Sequence, residues 1–451
     1  MQGERRKVKN SRPYGDLCGS IAKQLNLESK RLRFYVAYSG GIDSHVLLHC
    51  CAAISQLKGK LTAVYVHHGL QAEAESWAKH CEKTAKALEV EFLTLRVNAK
   101  AAPGESPEEA ARNARYAALK SLMHTDDVLL LAQHQEDQLE TVLLQLFRGS
   151  GLQGLSGMPE CTAFGSGMML RPLLNTPKQA ISDYAHAHQL SWVEDPSNQS
   201  HEYDRNFLRN AVVPLLKQRW PAIDKTVARS AKHCADAQRL VEEVADELFA
   251  EVFNPADQTL SIGRLAEHQR HPQQLIIRHW FRHRGLKMPA QALVGRILTE
   301  VAAAAGHRDP VLSGQGYRIR RYRDKLYCLT DSVQETLRDC VWPAGQASVK
   351  IGHDRTLSWR LSSKGILREQ WVAAKVEVGF RRGGEKIRLP GRQGRHSLKN
   401  LFQEAGIPPW ERDVIPLIYL NGTLAAVGDL WISAGFYSEK SHGCISFHLQ
   451  S

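Results

Sequence analysis

The stretch Phe34 to Ser44, Phe-Tyr-Val-Ala-Tyr-Ser-Gly-Gly-Ile-Asp-Ser, limits what this chain can fold into more than any other. Phe34 to Tyr38 is an apolar, aromatic and β-branched run of strand length. Gly40 and Gly41 follow, then an amphipathic run from Ile42 through Val46, Leu47 and Leu48 toward Cys51. That order is strand, tight turn, helix. Glycines let backbone N–H groups crowd a ligand, and the helix N-terminus behind them carries partial positive charge. Ser39 and Ser44 add hydroxyls, so the corner is a cradle for phosphate. It is not a Walker A loop, because no Lys follows the glycines. The plainer alternative is an ordinary strand–turn–helix corner.

The alternation continues. Leu61–His68, Val90–Val97 and Asp127–Ala132 read as strands, and Glu73–Leu88 and Pro107–Met123 as helices. The second of these helices has Ser106 as its N-cap, with Pro107, Glu108 and Glu109 in the first turn. Such alternation predicts an α/β fold, a Rossmann-like parallel sheet with helices on both faces and ligands at the carboxyl ends of its strands. Ser39, His67, His68 and His134 fall at such ends. Gln133–Phe147 is the next helix. At about 100° per residue, His134, Asp137, Glu140 and Thr141 share one arc, opposite Leu139, Leu143 and Leu146. Charges on a helix usually form a solvated face; this arc starts at the ligand edge of the sheet, which favours a site. Gly149-Ser-Gly151-Leu-Gln-Gly154 follows a helix rather than a strand, so it reads as a flexible loop at the substrate mouth and not as a dinucleotide fingerprint. Pro177–His188 is helical, Trp192–Asn198 a short strand and turn, and Tyr203–Leu216 places Asp204, Arg205, Asn206 and Arg209 before an apolar helix.

From about Trp220 the strand–helix alternation stops. A long amphipathic helix carries Cys234, Ala237, Val241, Val244, Leu248 and Val252, and further helices follow. Tyr317–Cys328 reads as a hairpin, residues 333–347 as a linker, and the last hundred residues as short strands with a helix near Leu398–Ala405. Three domains are expected: 1–220, a catalytic α/β domain; 221–332, mainly helical; and 348–451, a small α+β domain. The net charge of +12 points to a polyanionic partner. Phe380–Asn400 holds seven of the basic residues among glycines. Nine scattered cysteines without a Cys-x-x-Cys pair suit reduced thiols in the cytoplasm rather than a zinc site. No signal peptide and no run long enough to span a membrane is visible.

Further segments complete a pattern: Val-His-His-Gly-Leu (66–70), Ala-Arg-Asn-Ala-Arg-Tyr (111–116), Gln-His-Gln-Glu-Asp-Gln-Leu-Glu-Thr (133–141), Arg-Gly-Ser-Gly-Leu-Gln-Gly-Leu (148–155), Arg-Pro-Leu-Leu (171–174), Glu-Asp-Pro-Ser-Asn (194–198), Arg-Asn-Phe-Leu-Arg (205–209) and Pro-Pro-Trp-Glu-Arg-Asp (408–413). With Ser-Gly-Gly-Ile-Asp-Ser (39–44), the chain resembles the tRNA(Ile)-lysidine synthetase family of the N-type ATP pyrophosphatases (the PP-loop superfamily) over nearly its whole length. The resemblance implies adenylation of the wobble cytidine of a CAU-anticodon tRNA(Ile), followed by displacement of AMP by free L-lysine, with ATP and Mg²⁺ as cofactors. It implies ATP binding by Ser39, Gly40, Gly41, Ile42, Asp43, Ser44 and His67, with Asp43 as the metal or phosphate-side carboxylate. It implies catalytic roles for Asp43, Arg115, His134, Asp137 and Glu140; Arg115 faces ATP or the adenylate, and Asp137 and Glu140 hold the lysine amine. Arg148, Arg205, Arg381, Arg382, Arg392 and Arg395 are the expected tRNA contacts. Glu136 stands where the family usually has Asp; it lies off the arc, so little consequence is expected. A tRNA thiolase and a noncatalytic RNA-binding protein are the alternatives, and the oligomeric state, a homodimer included, stays open.

Overall fold

The structure, a computed structural model, describes residues 16–25, 33–69, 73–100, 107–305, 310–330, 337–352, 355–439 and 443–450. The basic leader Met1–Tyr14 and the Ser106 cap lie outside these residues. The chain divides into two compact units, Met1–Val244 and Ala245–Ser451.

The first unit is built on a six-stranded sheet of β1 (Phe34–Ala37), β2 (Leu61–His67), β3 (Glu91–Arg96), β4 (Val128–Leu130), β5 (Cys161–Phe164) and β6 (Gly167–Leu170). Their order is β3-β2-β1-β4-β6-β5. All neighbours are parallel except β5, which runs antiparallel to β6. From β1 the chain steps outward through β2 and β3, then returns to add β4 on the other side. The order therefore reverses between β1 and β4, where a doubly wound sheet opens its ligand crevice.

The helices of this unit are α1 (Leu17–Gln24), α2 (Ile42–Ala52), α3 (Ala74–Ala87), α4 (Pro107–Leu122), α5 (Gln135–Phe147), α6 (Leu152–Leu155), α7 (Lys178–Ala187), α8 (Asp204–Phe207) and α9 (Val213–Arg219); α10 (Ile223–Val252) begins in it and ends in the second unit. Separate apolar clusters fill the two faces of the sheet. One joins Val36, Leu47, Ala63 and Leu130 to Ile181 of α7; the other joins Tyr35, Val64 and Leu129 to Leu119 of α4. The helix after the glycines is not amphipathic as expected. Residues Ser44 through Leu48, Cys50 and Cys51 are all buried, because α1 and α7 cover the side facing away from the sheet.

Three other expectations change. Trp192–Asn198 is no strand: the Val193 N–H bonds the Gly40 carbonyl at 2.9 Å, and Pro196–Gln199 forms a 3₁₀ turn capped by Asp195. The expected loop at Gly149–Gly154 is a turn leading directly into α6. The expected linker contains a strand, Cys340–Val341, that pairs with Val376–Gly379, and Trp342 is buried beside it.

The second unit combines helices such as Arg270–His283 with an antiparallel five-stranded sheet that includes the Tyr317–Tyr322 and Lys325–Thr330 hairpin. Its C-terminal part has two more five-stranded sheets and the helix Leu398–Glu404. The Pro408–Asp413 segment grips the hairpin within this unit. The Arg320 guanidinium lies 4.4 Å from the Trp410 ring centroid, and Arg412 Nη2 donates to Tyr322 Oη at 3.1 Å. Among the described residues, no helix is long and apolar enough to cross a membrane.

Candidate active site

The crevice at the β1/β4 reversal is bounded by the two loops that leave those strands. After β1, Gly40 takes φ +84°, a backbone that L side chains rarely adopt, and Gly41 returns to φ −73° as the N-cap of α2. Ser44 ties the turn together: its Oγ accepts from the Ser39 N–H at 3.2 Å and donates to the Gly41 carbonyl at 3.0 Å. The loop is thus held in shape by its own hydroxyl, with the α2 N-terminus directed at the crevice.

After β4, His134 caps α5. Its backbone N–H donates to Asp137 Oδ2 at 3.0 Å, and the Glu136 N–H donates to its Nδ1 at 3.2 Å. That second bond keeps the hydrogen of the neutral ring on Nε2, which lies 3.4 Å from Asp137 Oδ2 and 3.7 Å from Asp43 Oδ2. Burial opposes charge on this ring while Asp43 and Asp137 favour it, and the balance raises its pKa. Asp43 also accepts a hydrogen bond from Lys178 of α7. Burial pushes the Asp43 carboxyl up; His134 and Lys178 outweigh it and bring its pKa to about 2.

The polar arc of α5 is a buried, paired surface. Arg209 donates from Nε to Glu140 Oε1 at 2.7 Å, and from Nη2 to Glu140 Oε2 and Asp137 Oδ1, each at 2.8 Å. Arg205 donates to Thr141 Oγ1 at 2.7 Å and lies 3.3 Å from Glu140 Oε2. The Glu140 side chain is 2% exposed and the Asp137 side chain 16%. Burial pushes the Glu140 carboxyl up, Arg209 pulls it back, and the net direction is upward. Arg209 belongs to a π turn, Leu208–Val212, between α8 and α9, an irregularity that recurs at functional sites. Glu136, expected to be idle, is hydrogen-bonded by Lys217 of α9 and so helps bind the Asp204–Arg219 helical stretch to α5.

These groups surround a cavity of about 430 Å³. Of the residues expected at the site, Ser39, Gly41, Asp43, Ser44, Arg115 and Asp137 line it. Arg209, His68, Gln133 and Asp195 join them. Gly40 faces Cys81 and Val193 instead, His134 supports the site from beneath, and Glu140 lies behind Arg209. His67 turns toward Glu75, 3.5 Å from its carboxylate, and its neighbour His68 takes the wall position expected of it. None of the nine cysteines lines the cavity. Arg209 was legible as a second cation one helical turn after Arg205.

The residues expected at tRNA divide. Arg148 is exposed at the end of α5, while Arg205 is turned inward. In the second unit Arg381 pairs with Asp413 and Glu385, Arg382 with Asp339, and Arg392 with Glu404. Arg395 lines a groove of about 810 Å³ together with Lys386 and Arg388.

Known proteins match this chain along most of its length. Residues 18–216 match a PP-loop domain, 260–327 a TilS substrate binding domain and 376–449 a TilS substrate C-terminal domain. The tRNA(Ile)-lysidine synthase of Methylococcus capsulatus is 40% identical over 92% of this chain and 95% of its own. That of Proteus mirabilis is 40% identical over 92% and 94%. The chain belongs to the tRNA(Ile)-lysidine synthase family. A solved TILS C-terminal domain aligns at 22% identity with a TM-score of 0.21, covering 25% of this chain and 98% of that one. Membership in a PP-loop family carries the use of ATP, and the Ser39–Ser44 cradle at the α2 N-terminus is the part of the fold suited to its phosphates.

Proposed function

We propose that this chain joins L-lysine to the wobble cytidine of a CAU-anticodon tRNA(Ile) in the cytoplasm, consuming ATP to form AMP and pyrophosphate. One observation carries the reading: a phosphate cradle and a carboxylate–arginine cluster open onto the same cavity. In the first half-reaction the cytidine 2-oxygen attacks the α-phosphorus, and the bond to the bridging oxygen breaks with its electron pair leaving on pyrophosphate. Backbone N–H groups of the loop and the α2 N-terminus stabilise that charge. Arg115 lines the same cavity and offers a cation to the adenylate.

In the second half-reaction the lysine side-chain amine bonds to cytidine C2, and the 2-oxygen leaves with AMP. Free lysine arrives protonated, its amine having a pKa of about 10.4 in water, so it must lose a proton before attack. Of the carboxylates that line the cavity, Asp137 is the one held by the arginine cluster, and it takes this role. Glu140 acts through Arg209, which it holds by two hydrogen bonds, and so positions Asp137. A Mg²⁺ ion suits Asp43 only as an ion shared with substrate phosphates. Asp43 is the sole carboxylate of the loop, and no group of three or more metal-ligating side chains converges among the described residues. Bound there, Mg²⁺ supplies charge neutralisation at the phosphates. The nine free thiols suit a reducing compartment.

The test mixes the purified protein with ATP, lysine and tRNA(Ile) transcript. Pyrophosphate release that depends on tRNA, with lysine incorporated into it, is expected. Tight tRNA binding without pyrophosphate release would replace the enzyme reading with that of an RNA-binding protein.

A further inference from the structure

The loop that cradles phosphate contains no cation of its own, because no lysine follows its glycines. A cation arrives from elsewhere in the chain. Lys178 is the first residue of α7, and its ammonium donates to Asp43 Oδ1 within the first turn of α2. Its placement runs against helix electrostatics: a lysine in a first turn faces the positive end of the helix dipole, a position that favours carboxylates. Nothing offsets that at the helix itself, since Pro177 at the N-cap offers no side-chain hydrogen bond. The backbone beneath Lys178 is fixed, because Ile181 and Ala185 of the same helix are fully buried in the core shared with α2. The ammonium is therefore a cation on a rigid platform, 30% exposed, beside the carboxylate that lines the phosphate end of the cavity. An ammonium has three N–H donors, and Asp43 uses one.

We propose that Lys178 is a catalytic residue of the adenylation step, donating to a non-bridging oxygen of the β- or γ-phosphate while it still holds Asp43. The proposal rests on the reaction described above. The bond between cytidine oxygen and α-phosphorus forms, the α-phosphorus to bridging-oxygen bond breaks, its electron pair goes to pyrophosphate, and no proton moves at Lys178. The ammonium stabilises the charge gathering on the leaving group, which is greater in the transition state than in bound ATP.

The experiment compares Lys178→Ala, Lys178→Gln and Lys178→Arg in the full chain. Binding of ATP, pyrophosphate and AMP is measured by calorimetry without tRNA or lysine, and AMP transfer to tRNA is measured without lysine. With Ala and Gln, affinity for ATP and pyrophosphate falls about tenfold or more while that for AMP stays within about twofold. Adenylation slows by roughly 10²-fold, and Arg restores part of it. Gln keeps two of the four methylenes and a neutral N–H donor, so it removes the charge with less loss of packing and reports on the phosphate contact even if Ala unfolds. Equal loss for ATP and AMP, or no loss for pyrophosphate, would overturn the assignment and leave Lys178 a support for Asp43. The binding arm needs neither tRNA nor lysine, so its failure is separable from a failure to make lysidine.

Discussion

Asp43 meets two basic groups, His134 and Lys178, and its charge state has a measurable consequence. Its folded pKa of about 2 lies below the value of about 3.9 expected in the unfolded chain. A carboxyl with a depressed folded pKa stabilises the fold fully above its unfolded pKa and loses that contribution as pH falls toward its folded one. The stability difference between the native protein and Asp43→Asn, read from urea unfolding, therefore shrinks as pH falls from about 4 to about 2. A gap that stays constant across this range would mean that the ion pairs add nothing to folding. The two carboxylates of α5 separate in a different way. Asp137→Asn is expected to raise the KM for lysine while AMP transfer to tRNA without lysine continues. Glu140→Gln leaves Arg209 short of a buried partner and is expected to destabilise the fold by about 1–3 kcal/mol, seen as a lower Tm. If Asp137→Asn stops adenylation and leaves the lysine dependence untouched, its assignment to the second step is wrong.

At the scale of elements, the two glycines of the loop carry different duties. A Cβ on Gly40 would need a positive φ and would meet Cys81 Sγ at 3.0 Å, whereas one on Gly41 has ordinary φ and finds nothing nearer than Ser39 Oγ at 3.6 Å. Gly40→Ala is expected to lose about 1–2 kcal/mol of stability along with ATP affinity. Gly41→Ala folds normally and loses ATP affinity alone, because its new methyl stands in the cavity wall. Thermal melts with ATP titrations read both; a destabilised Gly41→Ala would contradict this division. The loop and its flanking strand and helix were legible because periodicity and glycine chemistry act locally. The same local signal misjudged α2, whose outer side is covered by α7, an element far along the chain. Trp192–Asn198 has strand-like composition, yet its Val193 N–H bonds the glycine loop rather than a neighbouring strand. Cys340–Val341 joins a sheet with two residues, too few for alternation to register. Partners such as Lys178 for Asp43 and Lys217 for Glu136 are pairings of distant segments, which spacing along the chain does not encode.

At the scale of the whole molecule, a net charge of +12 is an argument about a polyanion, and the question is which cations are available to it. The basic segment of the second unit reads in sequence as a row of equivalent arginines. Its pairings make them unequal. Arg381, Arg382 and Arg392 each have a carboxylate partner, and a phosphate must displace that partner before it gains the guanidinium. Lys386, Arg388 and Arg395 are exposed along one groove and have no carboxylate pair among the described residues. Tyr419 and Phe436 share that groove and add aromatic surface to the charge. Phosphate contacts set affinity and position, and each releases counterions when it forms. Replacing Lys386, Arg388 and Arg395 with Ala is therefore expected to weaken tRNA binding. It should also lower the slope of log Kd against log salt by about 0.7–0.9 for each phosphate left without its cation. Replacing Arg381, Arg382 and Arg392 should change that slope less, because their charge is already partly neutralised, and should lower Tm by removing their ion pairs. ATP affinity, set by the first unit, stays the same in both triple variants. The measurement is tRNA Kd across a salt series for the two variants and the native chain. A larger slope change from the paired arginines than from the groove would show that tRNA binding breaks those ion pairs, and the groove would then be a solvated basic face.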